Sequence, residues 1–303
     1  MLTVFELLYD LAIEIQLNPN LSYLTVHGGR DRSQVEAQLQ SAIAESVMPG
    51  ERTETRWHKV RIFCRNYVNR AMPFTSSDRM LNMLDGYEKL HSLQELQPDA
   101  FLAFTQDYFK NTPKSSEFNA ALYKFTSAEP IAAFQNLSYM EWVEQRWFYW
   151  VYKSVQTINA NEVLSDVSVL SFNEDTKLKG IGLPLAANYF ADMGLTAFAK
   201  PDLHVLPLIQ LLTLEEGESN ALKSIIRICQ AEDQALRSQS RFNWITNLGG
   251  LWPRYLDRII YLIGSDNHLL NGVRNRQSAP ERRALMRKAL IQNNLVTARH
   301  AVF

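Results

Sequence analysis

Residues 178–212 read LKGIGLPLAANYFADMGLTAFAKPDLHVLPLIQLL. The stretch opens on a tight turn, Leu178-Lys179-Gly180-Ile181-Gly182, set between two helical runs. Two glycines one residue apart let the backbone turn sharply and bring amide hydrogens to the start of the next helix. Those amides, with the helix dipole behind them, suit an anion such as a DNA phosphate. The run from Pro184 to Met193 begins with proline in a first-turn position and meets Gly194 where a C-terminal cap belongs. A second apolar helical run, Leu203 to Leu212, follows Pro201 and Asp202. Taken alone, the glycines equally suit a loop whose only difficulty is steric. Asp202 taken alone equally suits a helix N-cap.

Outward from this segment, helical signals recur. Ser33 with Glu36 and Ser138 with Glu141 have the spacing of capping boxes, the second predicting a helix from Tyr139 to Ile158. Pro19, Pro49, Pro73, Pro98, Pro113 and Pro130 punctuate the first half at helix-length intervals. Strand-like alternation is confined to Tyr23–Val26 and Val167–Phe172, neither with a hairpin partner. The expected fold class is therefore all-α, with about ten or more helices. Residues 1–303 are expected to form one compact helical unit, in two lobes around a cleft. Within it, 1–55 is a candidate N-terminal addition, 174–212 the helix-hairpin-helix and acid segment, and 213–303 a basic helical region.

Composition narrows the class without deciding it. Hydrophobic residues at 46% and charged residues at 21% are ordinary for a globular protein of 303 residues. Cys64 and Cys229 lie far apart, which excludes a four-thiolate metal site and a disulfide framework and leaves two small buried hydrophobes in a reducing compartment. In the N-terminal run Leu2–Leu17, Glu6, Asp10 and Glu14 form one acidic stripe, too charged for a membrane span and without the basic start of a secretory signal. It reads as a surface helix, and the protein as cytoplasmic, or nucleoid-associated in a prokaryote. Net charge is −1, but from Leu206 onward 13 Lys and Arg face 8 Asp and Glu, whereas the first 205 residues hold 18 against 24. A basic C-terminal third offers phosphate contacts or simply a solvated surface.

Aromatic and basic clusters add candidates. Trp142, Trp147, Phe148, Tyr149, Trp150 and Tyr152 crowd one helix on nearly every face, the mark of a helix buried on most sides; Trp142, Trp147, Tyr149 and Trp150 are also candidates for a base-stacking pocket. Arg254 and Arg258 share a helix face at four-residue spacing. The run Arg274–Lys288 and the cluster Arg52, Arg56, Lys59, Arg61 and Arg65 are further basic patches. His27-Gly28-Gly29-Arg30 suits either an anion or a turn before a helix. No His-Glu-x-x-His zinc helix, P-loop, Gly-x-Ser-x-Gly elbow or dinucleotide fingerprint occurs.

The 178–212 segment resembles the helix-hairpin-helix-GPD superfamily of DNA glycosylases, which includes endonuclease III, the adenine glycosylases and the 3-methyladenine glycosylases. Leu178-Lys179-Gly180-Ile181-Gly182 is similar to the family's hairpin, Ala186–Ala191 to its small-residue helix, Gly194–Pro201 to its loop, and Pro201-Asp202-Leu203-His204 to its Val-Asp-x-His tetrad. Between Gly182 and Asp202 stand 19 residues, a separation that also resembles endonuclease III. Where bifunctional members carry a nucleophilic lysine this chain has Pro184, and the usual hairpin proline is Lys179. The iron–sulfur cysteines of some members are missing.

The resemblance implies a monofunctional glycosylase that hydrolyses the N-glycosidic bond of a damaged or modified base flipped from duplex DNA. Asp202 would be the catalytic carboxylate, stabilising the oxocarbenium-like sugar. Lys179, Gly180, Ile181, Gly182, Lys200, Arg254 and Arg258 would contact DNA. The implied partner is double-stranded DNA, with no lyase step, metal, cofactor or membrane. The competing expectation is a noncatalytic helix-hairpin-helix DNA-binding or scaffold protein.

Overall fold

Every regular element among the residues described in this computed structural model is helical; these residues are 2–17, 31–44, 55–71, 77–93, 95–264 and 279–296. The helices are α1 (Val4–Leu17), α2 (Arg32–Ala44), α3 (Arg56–Ala71), α4 (Ser77–His91), α5 (Pro98–Phe109), α6 (Ser115–Thr126) and α7 (Tyr139–Val151). They continue as α8 (Ala160–Ser171), α9 (Leu183–Asp192), α10 (Leu206–Thr213), α11 (Glu218–Arg237), α12 (Asn243–Asn247), α13 (Pro253–Gly264) and α14 (Ala279–Gln292). The fold class is all-α, as the helical punctuation predicts. Tyr23–Val26, the His27–Arg30 turn, Arg52 and Arg274 lie outside the described residues.

The chain divides into two compact units. One is inserted, formed by Met48–Lys153 and Glu162–Leu195; the other gathers Met1–Val47, Ser154–Asn161 and Thr196–Phe303. In the inserted unit α3 packs on α4, α6 and α9. Phe63 of α3 stacks on Phe125 of α6 at 4.3 Å, and both meet the Tyr189 ring of α9 edge-on. Beneath α9, Arg65, Asn66 and Asn188 converge on Asp192 Oδ2 at 3.1, 3.0 and 3.0 Å. A buried acid shared among three donors satisfies its own charge and fixes the register of α9 against α3.

In the other unit α1 packs against α2, α11, α13 and α14. Nine of its residues are buried, so it is a central helix and not the surface helix its acidic stripe suggests. The stripe is neutralised from outside: Asp10 pairs with Arg32 and Arg241, and Glu14 with Arg32. At its start the amides of Val4 and Phe5 donate to Glu232 at 2.7 and 3.0 Å, occupying donors that the first turn leaves over.

Three further expectations need correction. Val167–Phe172 is not extended; all but Phe172 belongs to α8, where Val163, Val167 and Leu170 recur at helical spacing on the buried side. Burial of that stripe overrides the β-branched preference. Ser33 does not cap α2, which begins at Arg32; Asp31 precedes it and accepts from the Ser33 amide at 3.1 Å, while Glu36 turns to Arg32. Finally α7 ends at Val151 and not Ile158, because Ser154 and Thr157 close their own short 3₁₀ turn. The Ser138–Glu141 capping box is present in full, with the Ser138 amide donating to Glu141 Oε2 at 2.8 Å.

Candidate functional site

The hairpin belongs to the inserted unit and joins α8 to α9, giving helix, hairpin, helix in order. Leu178 and Ile181 point inward and are buried, and the Ile181 amide closes the turn on the Leu178 carbonyl at 3.1 Å. Lys179, Gly180 and Gly182 are exposed. Anchors alternate with exposed positions, and the Gly180 and Gly182 amides have no acceptor among the described residues. Gly180 has φ +83°, open to glycine and strained for other residues. Gly182 is the N-cap of α9, with Pro184 in the first turn, so its amide stands at the positive end of the helix.

Two features not foreseen from sequence hold the hairpin. The Tyr67 hydroxyl donates to the Lys179 carbonyl at 2.9 Å, and Lys124 Nζ donates to the Asp175 carbonyl at 2.9 Å. Lys177 adds a second exposed cation beside Lys179, whose ammonium stands 3.5 Å from Glu117. Neither tyrosine nor lysine is near the hairpin in sequence, and no local signal marks them. At the far end of α9, Gly194 (φ +88°) donates to the Ala191 carbonyl and Leu195 to the Phe190 carbonyl. This pair of bonds is a Schellman cap, as the glycine predicts.

Asp202 and Lys200 belong to the other unit, just after the chain passes between the two at Leu195–Thr196. Asp202 is 8% exposed. Its Oδ2 meets Lys200 Nζ at 3.0 Å and its Oδ1 accepts from the His204 amide at 3.0 Å. Its carbonyl accepts from Val205 and Leu206 at 3.0 and 2.8 Å. The side chain therefore caps the turn 203–205 ahead of α10 and not α10 itself, whose start is set by Pro207. Burial pulls the carboxyl upward, but the Lys200 charge and the His204 amide outweigh it and hold Asp202 below the ordinary carboxylate range.

A second acid supports this turn. Asp257 Oδ2 accepts from the Lys200 amide and from Arg254 Nη1, both at 3.0 Å, and the Arg254 amide donates to the Thr196 carbonyl at 3.1 Å. Arg254 is thus buried at the start of α13 and serves the loop 196–202, whereas exposure would be needed to meet a phosphate. Arg258 is half-buried and its Nε donates to the Ala42 carbonyl at 3.3 Å. His204 lies edge-on to Tyr261 with its Nδ1 buried and unpartnered.

The aromatic candidates sit on α7 in the inserted unit. Trp142 stacks on Phe134 at 4.9 Å, Trp147 Nε1 donates to the Met193 carbonyl at 3.1 Å, Tyr149 Oη donates to Glu162 at 2.6 Å, and buried Trp150 donates to Asp166. Each ring thus has a structural partner. The helix is not buried on most sides: Phe148 and Tyr152 are exposed, and cations from Arg146 and Lys153 cover Tyr149. Aromatic density misleads here because cation–π contact gives a ring a stable half-exposed berth.

Comparison with known proteins yields no matching family, no matching curated protein and no matching solved structure. Among the described residues no helix is long and apolar enough to cross a membrane.

Proposed function

We propose that the chain is a monofunctional DNA glycosylase that grips duplex DNA by the 178–182 hairpin and hydrolyses an N-glycosidic bond with Asp202. The observation that carries the proposal is Asp202, a largely buried carboxylate that Lys200 holds below the ordinary range, with 19 residues between it and a hairpin of exposed glycines. A carboxylate in a site of reduced dielectric stabilises a developing sugar cation more strongly than one in water. On the hairpin, exposed glycines flanked by Lys177 and Lys179 suit a phosphate.

In this mechanism the hairpin amides hold the backbone phosphate, and a base leaves the stack. Negative charge on Asp202 lowers the energy of the oxocarbenium-like sugar as the base departs, and a water oriented by the carboxylate adds to C1′. Its proton passes to Asp202 and then to solvent. Lys200 keeps the carboxylate ionised.

The test is a panel of duplex oligonucleotides carrying uracil, hydroxymethyluracil, alkylated purines or oxidised guanine. The expected result is an alkali-labile abasic site at one lesion, with no strand cleavage by the protein, abolished in Asp202→Asn. Unchanged turnover in that variant removes Asp202 from the reaction. A second reading, a noncatalytic DNA-binding module, is favoured by the pairing of both Asp202 oxygens within their own unit. Duplex binding without excision of any lesion would select it.

A further inference from the structure

Leu214 ends α10 in a left-handed conformation, φ +59°, with its amide bound to the Gln210 carbonyl at 2.8 Å. The other non-glycine positions with positive φ among the described residues are Ser92, Lys114, Gln135, Asn136 and Asn294, all polar. Such a conformation costs leucine more than asparagine or glycine, the residues that usually end helices this way. Yet Leu214 is also 55% exposed. An aliphatic side chain held in a strained conformation and left in water points to a contact outside its own fold.

Acids follow it at Glu215, Glu216 and Glu218. Glu215 secures the turn, accepting from Ser224 Oγ at 2.7 Å and from Arg227 at 3.3 Å. Glu216 is exposed and Glu218 half-buried, and neither forms an ion pair among the described residues. Leu214 is thus an apolar knob with two uncommitted carboxylates beside it.

The complement lies in the same compact unit. Helices α10 and α14 pack side by side, and the groove between them is floored by Leu208, Leu211 and Met286. Arg283, Arg287 and Lys288 also line it, and none of the three is buried. An apolar floor with cations at its edge suits an aliphatic side chain flanked by carboxylates better than a phosphodiester. Leu214 does not fill the groove of its own chain, being outside the lining and more than half in water.

We propose that two copies of the chain pair through this surface. Leu214 of each enters the α10–α14 groove of the other, and Glu216 and Glu218 face the cations there. Leu208, Leu211 and Leu214 follow one another at three-residue spacing. Antiparallel α10 helices therefore set Leu214 of one copy against Leu208 of the other, about a two-fold axis near Leu211 that forms the contact twice. The pairing is independent of the glycosylase reading.

Sedimentation equilibrium of the full chain tests it, with circular dichroism and thermal denaturation at low concentration to check that each variant is folded. The wild type is expected to interconvert between monomer and dimer as concentration changes. Leu214→Asn should raise the dissociation constant by about tenfold or more, while its monomer keeps or gains stability, because asparagine accepts the left-handed helix end. Exchanged charges give a second readout. A chain with Glu216→Lys and Glu218→Lys, and another with Arg283→Glu and Lys288→Glu, should each fail to self-associate. Mixed, they should form a heterodimer, since one contact regains opposite charges and the other is wild-type. A dimer undiminished in Leu214→Asn overturns the proposal, as does a mixture of the two folded charge variants that does not pair. A monomeric wild type overturns it too, and loss of duplex binding in the Arg283→Glu, Lys288→Glu chain would then assign the groove's cations to DNA.

Discussion

The Tyr67 hydroxyl stands where a side chain on Gly180 would have to go: a Cβ there would come within 2.5 Å of that oxygen. The same hydroxyl donates to the neighbouring Lys179 carbonyl at 2.9 Å. Helix α3 thereby fixes the shape of the hairpin from behind.

Gly180→Ala and Gly182→Ala should therefore behave differently. At Gly180 the left-handed backbone costs about 1–2 kcal/mol for any other residue, and displacement of Tyr67 adds to it. At Gly182 φ is −94° and the nearest atom to an added Cβ is 3.9 Å away. Thermal denaturation should show a clear loss for the first and little for the second. A fall in duplex affinity for Gly182→Ala with its fold intact would then report the added methyl blocking close approach of a phosphate to the backbone there.

Tyr67→Phe removes the bond to Lys179 and should cost about 1 kcal/mol. Combined with Gly180→Ala its effect should fall short of the sum, because the oxygen that the new methyl strikes is gone. A double-mutant cycle by chemical denaturation measures the shortfall; strict additivity would mean that the two positions do not sense each other.

Lys200→Gln should move the Asp202 titration upward, since burial then acts without the adjacent cation. In the wild type the carboxyl is depressed in the folded state, so its ionisation stabilises the fold above the ordinary value of 3.8 and that contribution is lost as pH falls through the lower folded value. Excision should keep its activity well into the acid range in the wild type and lose it at higher pH in Lys200→Gln. Stability at neutral pH should drop by about 3 kcal/mol for a largely buried partner. Coincident acid limbs in the two proteins would contradict the coupling.

Asp192→Ala removes the one oxygen to which Arg65, Asn66 and Asn188 all donate. Removing one partner of a buried ion pair costs about 3–5 kcal/mol. Asp192→Asn, which keeps an acceptor, should lose less. Denaturant midpoints order the three proteins, and an Ala variant as stable as the wild type would show that the network does not hold α9.

Much of the helical frame is legible in the sequence where the signal is local. Ser138 with Glu141, Pro98 at the start of α5 and Gly194 after α9 each solve a problem within a few residues, and each appears as read. The hairpin is legible for the same reason. Where the deciding partner is distant, the local pattern misleads. The acids of α1 look like a solvent face until Arg32 and Arg241 are set against them. Arg254 looks like a surface cation until Asp257 and the Thr196 carbonyl claim it. Val167 and Val169 look extended until helical packing buries Val163, Val167 and Leu170 together. For Asp202 the acid and its position are visible in the sequence; the Lys200 ion pair and the Asp257 support behind it depend on tertiary folding.

The assembly of one unit from both ends of the chain has a consequence for biosynthesis. Phe5 and Tyr9 leave the ribosome at the outset, yet the rings of Phe242 and Trp244 that cover them arrive more than 230 residues later. Throughout that interval the nascent α1 must keep an oily stripe out of harm, while α3 to α9 can already close on themselves. A chaperone that shields the first helix during translation would raise the yield of native protein, and a ribosome stalled before residue 240 would display that helix to it.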